Sequence, residues 1–221
     1  MNYTAFFEGR EKDDKGHTIT EFLRWSGGHL ELAHDYIQRI FPTKEQSSYS
    51  KAPVITDEDI AAFRASETAQ NNLRAVYDRM LRFWRLDNDR YKEWDDKAPV
   101  HIWNNPNNHN CLRITRVLKS LKLLGMTEEY KDFSERLAYI LELRQTNPKI
   151  RISDETAQIW KENLYTKENH YYGVNSDTDN KIIYDRKRLA NGFTFGRAGS
   201  GKGFEVKAAV SHLEDEKSEK T

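Results

Sequence analysis

Apolar residues recur every three or four positions through roughly the first 160 residues, and this period limits the fold more than any other feature. The clearest example is the stretch 71–86, where one broad apolar face is flanked by arginines. The apolar members of that face are Leu73, Val76, Tyr77, Met80, Leu81, Phe83 and Trp84. Similar patterns predict helices at 30–41, from 57 onwards, and at 111–124, 127–143 and 153–164. The sequence therefore predicts a mainly α fold, a helical bundle with an aromatic-rich core.

Short polar signals mark where these helices begin and end. Thr56 is typical of an N-cap, and the acidic residues 57–59 behind it complement the positive end of the helix dipole. Pro42 ends the first pattern, since the residue before a proline is pushed out of the α region. Gly125 is placed to end the helix 111–124, and Pro148 interrupts the chain after 143.

The pattern changes near residue 166, where strand-like segments first occur. These segments lie at 171–175, 181–184 and 192–196, and a glycine-rich loop and a predicted helix from Lys202 follow them. We therefore predict two parts: a helical domain over 1–165, and a small strand, phosphate loop and helix appendage with a charged tail over 166–221.

Composition excludes several classes of protein. The 35 basic and 35 acidic side chains balance, which argues against a dedicated nucleic-acid coat or a polybasic membrane binder. A single cysteine, Cys111, excludes an internal disulfide and fits a reducing compartment. No apolar run approaches the roughly 20 residues that a membrane-spanning helix needs. We expect a cytoplasmic protein with no transmembrane segment.

Two blocks of sequence carry a resemblance to a known family. They read HDYIQRIFP at 34–42 and HNCLRITRVLKSL at 109–121, and shorter agreements at 52–56 and 80–83 fall between them in order. Residues 3–165 thereby resemble the opioid growth factor receptor conserved domain. The resemblance implies a helical domain and a receptor-like, non-enzymatic role with a peptide or protein ligand. Opioid pharmacology belongs to animal members with further regions, whereas this short format looks bacterial.

One position departs from that family, and five residues are candidates for a ligand groove. Arg39 stands where the family usually places a tryptophan, so an aromatic contact there is in doubt. The groove candidates are Trp25, His29, His34, Tyr36 and Phe41, which would accept a short peptide with aromatic side chains. The competing interpretation places Tyr36 and Phe41 in the core and uses Trp25 and His34 to brace the helix entry.

A basic stripe follows the helix 111–124 and raises a second function. It consists of Arg113, Arg116, Lys119 and Lys122, which repeat every third residue and are suited to holding phosphates. The alternative is a solvated face that pairs with Glu128, Glu129 or Asp132, and the balanced net charge favours it over nucleic-acid binding.

Nothing in the helical part predicts catalysis or metal binding. His109 and Asn110 are placed to cap the helix that follows, and neither His109 nor His101 has a cysteine or acidic partner at ligand spacing. Cys111, at an apolar helix start, is expected to be buried and inert. We predict no metal, no cofactor and no enzymatic activity.

The segment GRAGSGKG at 196–203 has the spacing of a phosphate loop through its lysine. Its candidate phosphate-binding residues are Gly196, Gly199, Ser200, Gly201 and Lys202. Gly203 stands where a Ser or Thr would normally offer a hydroxyl to magnesium, which predicts weak nucleotide binding. The surrounding run resembles the entry to conjugation ATPases of type IV secretion systems. ATP binding is thus an alternative function, without the later motifs that hydrolysis requires.

Overall fold

In the computed structural model, residues 1–47, 51–94, 101–106 and 108–166 are described, together with two short strands. The chain divides into two units, Met1–Leu164 and Tyr165–Thr221. This division lies next to the change of pattern at residue 166.

The described residues of the first unit form helices joined by loops, as predicted. Its α-helices are α1 Tyr3–Phe7, α2 Gly27–Leu32, α3 Ile37–Ile40, α4 Asp57–Ala65, α5 Glu67–Trp84, α6 His109–Leu124, α7 Thr127–Leu143 and α8 Asp154–Asn163. Short 3₁₀-helices lie at Glu21–Arg24 and Arg90–Lys92. The helices α6, α7 and α8 pack against one another, and α1 packs against α4 and α5.

Capping residues explain most of the helix boundaries. Thr56 and Asp59 form a reciprocal capping box at the start of α4, and Ser66 accepts the Ala69 N–H at the start of α5. Gly125 ends α6 with a φ of 75°, a left-handed conformation that favours glycine. Asn108, rather than His109 or Asn110, is the N-cap of α6, so the predicted capping residues are in fact its first turn.

The predicted helix over 30–41 is wrong in one respect, because it is two short helices. Ala33 ends α2 in an extended conformation, and α3 begins only at Ile37. The guanidinium of Arg113 accounts for the break, since it binds the carbonyl oxygens of Leu30 at 2.8 Å and Ala33 at 2.6 Å. These carbonyls therefore need no continuing helix to satisfy them.

Tryptophans fill the core around the start of α6. Trp84, Trp103 and Trp160 are fully buried, and the rings of Trp103 and Trp160 meet edge to face at 5.9 Å. Asn110, itself buried, accepts the indole N–H of Trp84 at 3.0 Å. The predicted aromatic-rich core is confirmed for the described part of the chain.

In the second unit, two strands form an antiparallel pair, β1 Phe193–Gly196 and β2 Glu205–Ala208. Phe193 lies opposite Ala208, and Gly196 lies opposite Glu205. A strand was predicted at 192–196, whereas the helix predicted from Lys202 is contradicted at 205–208. Residues 204–208 alternate apolar and charged, which is the two-residue period of a strand. The segments predicted as strands at 171–175 and 181–184 lie outside the described residues.

Candidate functional site

The surface around Trp25 begins with a local turn. Ser26 is the N-cap of α2, and its hydroxyl accepts the backbone N–H of His29 at 3.1 Å. That cap folds the first turn of α2 back over the preceding residue. As a result the imidazole of His29 stacks flat on the indole of Trp25, with ring centroids 3.9 Å apart and planes 5° apart.

Other aromatic rings hold Trp25 from the inside. The ring of Phe22 meets the Trp25 indole edge to face at 4.6 Å, and the ring of Tyr36 does so at 5.5 Å. His17 contributes a further edge contact at 5.4 Å. Phe22 and Tyr36 are buried, Trp25 is half-buried and His29 is exposed. The cluster therefore runs from the core to the surface, where it presents an indole and an imidazole.

The helix α5 fixes the backbone at this point. Arg79 donates from Nη2 to the carbonyl oxygen of Trp25 at 2.7 Å. On the same helix, the ring of Phe83 approaches to 3.9 Å of the position where a side chain on Gly27 would begin. These contacts position the loop before α2, so the Trp25–His29 stack is built on a packed helix.

The structure brings together three of the five predicted groove residues. Trp25, His29 and Tyr36 are in the cluster just described, which we call the Trp25 surface. His34 is exposed and its ring instead contacts that of His109, at 5.5 Å. Phe41 is fully buried in the core. Tyr36 and Phe41 are thus both inaccessible, as the competing interpretation proposed, and within the Trp25 surface the predicted residues that a ligand could contact are Trp25 and His29.

Three members of the Trp25 surface escaped the sequence analysis: His17, Phe22 and Arg79. His17 and Phe22 lie in a loop and a single 3₁₀ turn, where no helical period marks an inward side chain. Arg79 lies 54 residues away from Trp25 in the chain. Its arginine neighbours on α5 look alike in sequence, so nothing local marks it.

Arg39 is accommodated without an aromatic partner. Its guanidinium is buried, 2% exposed, and makes two hydrogen bonds to the carboxylate of Asp14. Asp13 and Asp35 place further carboxylate oxygens at 3.8 and 3.3 Å. The hydrogen bonds from Arg39 lower the pKa of the Asp14 carboxyl below its usual value. A network of carboxylates therefore surrounds the Arg39 guanidinium.

The basic stripe of α6 does not form one open face. Arg113 is buried on the carbonyls of α2, with its guanidinium over the Tyr36 ring at 5.3 Å. Arg116 donates to Thr43 Oγ1 at 2.9 Å and is half-buried. Lys119 lies 3.8 Å from Glu45, and burial lowers the pKa of the Lys122 amine. The acidic partners suggested for the stripe, Glu128, Glu129 and Asp132, instead pair with Lys131, Arg74 and Arg136.

The two histidines considered as metal ligands lie in different surroundings. His101 is buried between the rings of Trp94 and Trp103, and burial lowers its pKa. His109 Nε2 lies 3.3 Å from a carboxylate oxygen of Glu31. Across the described ranges, no three His, Cys, Asp or Glu side chains are grouped so that they could hold a metal ion.

Cys111 is buried, its Sγ donates to the carbonyl of Trp103 at 3.3 Å, and burial raises its thiol pKa to about 11. It is therefore protonated and unreactive at neutral pH.

The phosphate-loop residues Gly199, Ser200, Gly201 and Lys202 lie outside the described residues, and Gly196 is the last residue of β1. Among the helices described, none is long and apolar enough to cross a membrane.

Comparison with known proteins agrees with the resemblance found in the sequence. The family described as the opioid growth factor receptor (OGFr) conserved region matches residues 2–169. An opioid growth factor receptor-like protein 1 from Xenopus tropicalis is 34% identical over 131 residues, covering 55% of this chain and 24% of the relative. The opioid growth factor receptor of Mus musculus is 32% identical over 127 residues, covering 52% and 19%. The matched region thus spans a quarter or less of these two relatives, and no solved structure matches.

Proposed function

This chain belongs to the opioid growth factor receptor conserved-region family, and we propose that its helical unit is a non-enzymatic binding module for a peptide or protein ligand. The family supplies the receptor-like role. The ligand class and the binding surface are our inference from the geometry of the described residues.

The observation that carries the proposal is the flat Trp25–His29 stack at the surface. Trp84, Trp103 and Trp160 are fully buried, whereas Trp25, like Trp94, is only half-buried, so the Trp25 indole can contribute to the surface of this unit. A stacked indole and imidazole present a rigid, largely apolar area with polar edges, and such area is gained at low entropic cost when a ligand covers it. Aromatic residues of this kind dominate the energy of many interfaces.

The names of the relatives supply the peptide class. Those proteins are called receptors for an opioid growth factor. For this chain we propose only the coarser class, a peptide or a peptide segment of a protein, because the residues of the Trp25 surface support no particular sequence of ligand. We further propose, on sequence grounds, that it acts in the cytoplasm.

Selection of random peptides displayed on phage against the immobilised full chain tests this function. We expect enriched peptides that bind the wild type and lose at least about tenfold in affinity on Trp25→Ala, since a central aromatic contributes roughly 2 kcal/mol or more. Tyr139→Ala, a half-buried aromatic on α7 away from α2, is the matched control and should bind normally. Peptides that bind Trp25→Ala and the wild type equally would contradict the proposal.

The two alternatives receive no support from a specific observation. Arg113 and Arg116 are engaged inside the helical unit, so they are not displayed to nucleic acid. For the ATP alternative, the element at 205–208 is a strand, whereas a phosphate loop needs a helix N-terminus after its lysine. We therefore propose neither nucleic-acid binding nor ATP binding as the function of this chain.

A further inference from the structure

We infer that the segment bound at the Trp25 surface carries a carboxylate beside an aromatic ring, with the carboxylate received by Arg79 and by the indole N–H of Trp25. This inference rests on the proposed function and adds the chemistry of the ligand. It follows from three observations on hydrogen bonding and charge.

The first observation is the unused donor of Trp25. Each of the other four tryptophans donates its indole N–H to an acceptor in the protein. Their acceptors are Asn110 for Trp84, the Tyr91 carbonyl for Trp94, the Trp84 carbonyl for Trp103 and Thr115 for Trp160. Among the described residues, none accepts the indole N–H of Trp25. A hydrogen-bond acceptor on a ligand would satisfy this indole N–H.

The second observation is an arginine without a carboxylate. Arg79 uses Nη2 on the Trp25 carbonyl, and its guanidinium retains further donors in a fixed fork. Within the described part of the chain, neither Arg79 nor Arg82, one turn further along α5, makes an ion pair. Burial and the neighbouring charge of Arg82 lower the pKa of Arg79, which shows that the two guanidinium groups lie close to each other on α5.

The third observation is that nearby acidic groups are engaged elsewhere. Glu31 accepts from Asn110 at 2.9 Å and lies beside His109, on the α6 side of α2. Glu21 accepts the backbone N–H of Thr18 at 2.6 Å. Asp78, the acidic neighbour of Arg79 in the chain, interacts electrostatically with Arg82. The guanidinium of Arg79 is therefore left for a ligand, and a carboxylate is the group that an arginine fork matches best.

The aromatic half of the ligand follows from the stack itself. One face of the Trp25 indole already holds a flat ring at 3.9 Å, and the exposed His29 imidazole offers its outer face to a second ring. Stacking of this kind strengthens binding beyond the effect of the buried apolar area. An acidic peptide with an adjacent Phe, Tyr or Trp thus fits both halves of the surface.

Two synthetic peptides test the inference, acetyl-Gly-Phe-Glu-Gly-amide and its Gln analogue. Each is titrated to about 1 mM into the ¹⁵N-labelled full chain, where a weak affinity is still measurable. The readout is the indole ¹⁵N–¹H signal of Trp25, assigned by its loss in Trp25→Phe. We expect the Glu peptide to shift this signal and to bind about tenfold more tightly than the Gln peptide, because hydrogen bonds to charged groups are the stronger ones.

Variants of α5 assign the preference to Arg79. Arg79→Gln should bind the two peptides equally, and Arg79→Lys should recover part of the preference. Arg74→Gln is the matched control on the same helix, because Arg74 is paired with Glu129, and it should keep the full preference. Thermal melts of each variant confirm that it is folded.

The failures of the two proposals can be told apart. Equal binding of both peptides to the wild type would overturn the carboxylate inference and leave the proposed peptide-binding function standing. An unshifted Trp25 signal with both peptides would overturn the inference as well. So would a short oligothymidylate that shifts the signal at lower concentration than the Glu peptide. The proposed function itself fails only if the phage selection yields no peptide dependent on Trp25.

Discussion

At the scale of single residues, the main feature is a buried network of charges around Arg39. Arg39 is enclosed with Asp14, Asp13 and Asp35, and both Arg39 and Asp13 are almost fully buried. A buried guanidinium is stable only when its donors and the surrounding carboxylates compensate its desolvation. The sequence showed the departure at Arg39, but not its partners, because Asp13 and Asp14 lie some 25 residues earlier.

Removing the Arg39 charge should therefore destabilise the fold strongly. We expect Arg39→Met to lower the free energy of unfolding by about 3 kcal/mol or more, since it removes the guanidinium beside the buried carboxylate of Asp13. Urea denaturation measures the loss. Lys92→Met, which breaks the exposed pair with Asp89, is the control and should change stability by less than about 1 kcal/mol. A loss for Arg39→Met as small as that of the control would refute this account of the network.

Buried histidine predicts a loss of stability in mild acid. Burial lowers the pKa of His101 in the folded protein, so the unfolded chain takes up the proton first as the pH falls. The stability is full above about pH 6.5, the pKa of an unfolded histidine, and declines below it. Burial likewise lowers the pKa of His109, so both residues act in the same direction.

Urea denaturation at pH 7.5 and pH 5.5 measures this effect. The wild type should be less stable at the lower pH, and His101→Phe should show a smaller difference between the two values. His29→Phe, at an exposed position on α2, is the control and should keep the wild-type difference. A stability that is unchanged or higher at pH 5.5 would show that the sign is wrong.

At the scale of helices, the long periodic elements were predictable and the short ones were not. The predicted stretch 71–86 corresponds to α5 at Glu67–Trp84, and 111–124 corresponds to α6 at His109–Leu124. In both helices, the repeated apolar face and the capping residues indicate a helix over the same stretch of sequence. The break between α2 and α3 depends instead on Arg113 of α6, which lies more than 80 residues after Leu30 in the chain. No local sequence pattern therefore indicates the break.

Substitution of Arg113 tests whether the basic stripe stabilises the fold or binds nucleic acid. Arg113→Met removes the donors to the carbonyls of Leu30 and Ala33, so we expect stability to fall by roughly 2–3 kcal/mol, with unchanged retention on heparin at low salt. Lys119→Met, whose partner Glu45 is exposed, should alter stability little. Unchanged stability together with lost heparin retention would instead favour the nucleic-acid alternative.

At the scale of the whole molecule, the two units differ in how far sequence reasoning reached. The helical class and the buried aromatic core of Met1–Leu164 followed from patterns that repeat over many residues, and the family followed from two long blocks of sequence. For the surface site, sequence reasoning named Trp25, His29 and Tyr36 but not Arg79, Phe22 and His17. These three contact Trp25, and no period connects them with it. In the second unit, a phosphate-loop spacing suggested a helix where β2 lies, since spacing alone does not fix the element that follows.

The strand at 205–208 leads us to expect no effect of nucleotide on the second unit. Limited proteolysis of the full chain should proceed at the same rate with and without magnesium-ATP, and Lys202→Ala should be cleaved like the wild type. Mass spectrometry of the fragments identifies the cleavage sites. Protection of the region 170–210 by ATP that is lost in Lys202→Ala would restore nucleotide binding as a function of this protein.

The most direct test of the central claim is hydrogen–deuterium exchange of the full chain with and without a peptide from the phage selection. Binding at the Trp25 surface predicts slower exchange of backbone amides from the 3₁₀-helix Glu21–Arg24 through α2, and unchanged exchange in α8. The same peptide should protect nothing in Trp25→Ala. Protection confined to α7 and α8, or to residues 193–208, would place the binding site elsewhere and contradict the account.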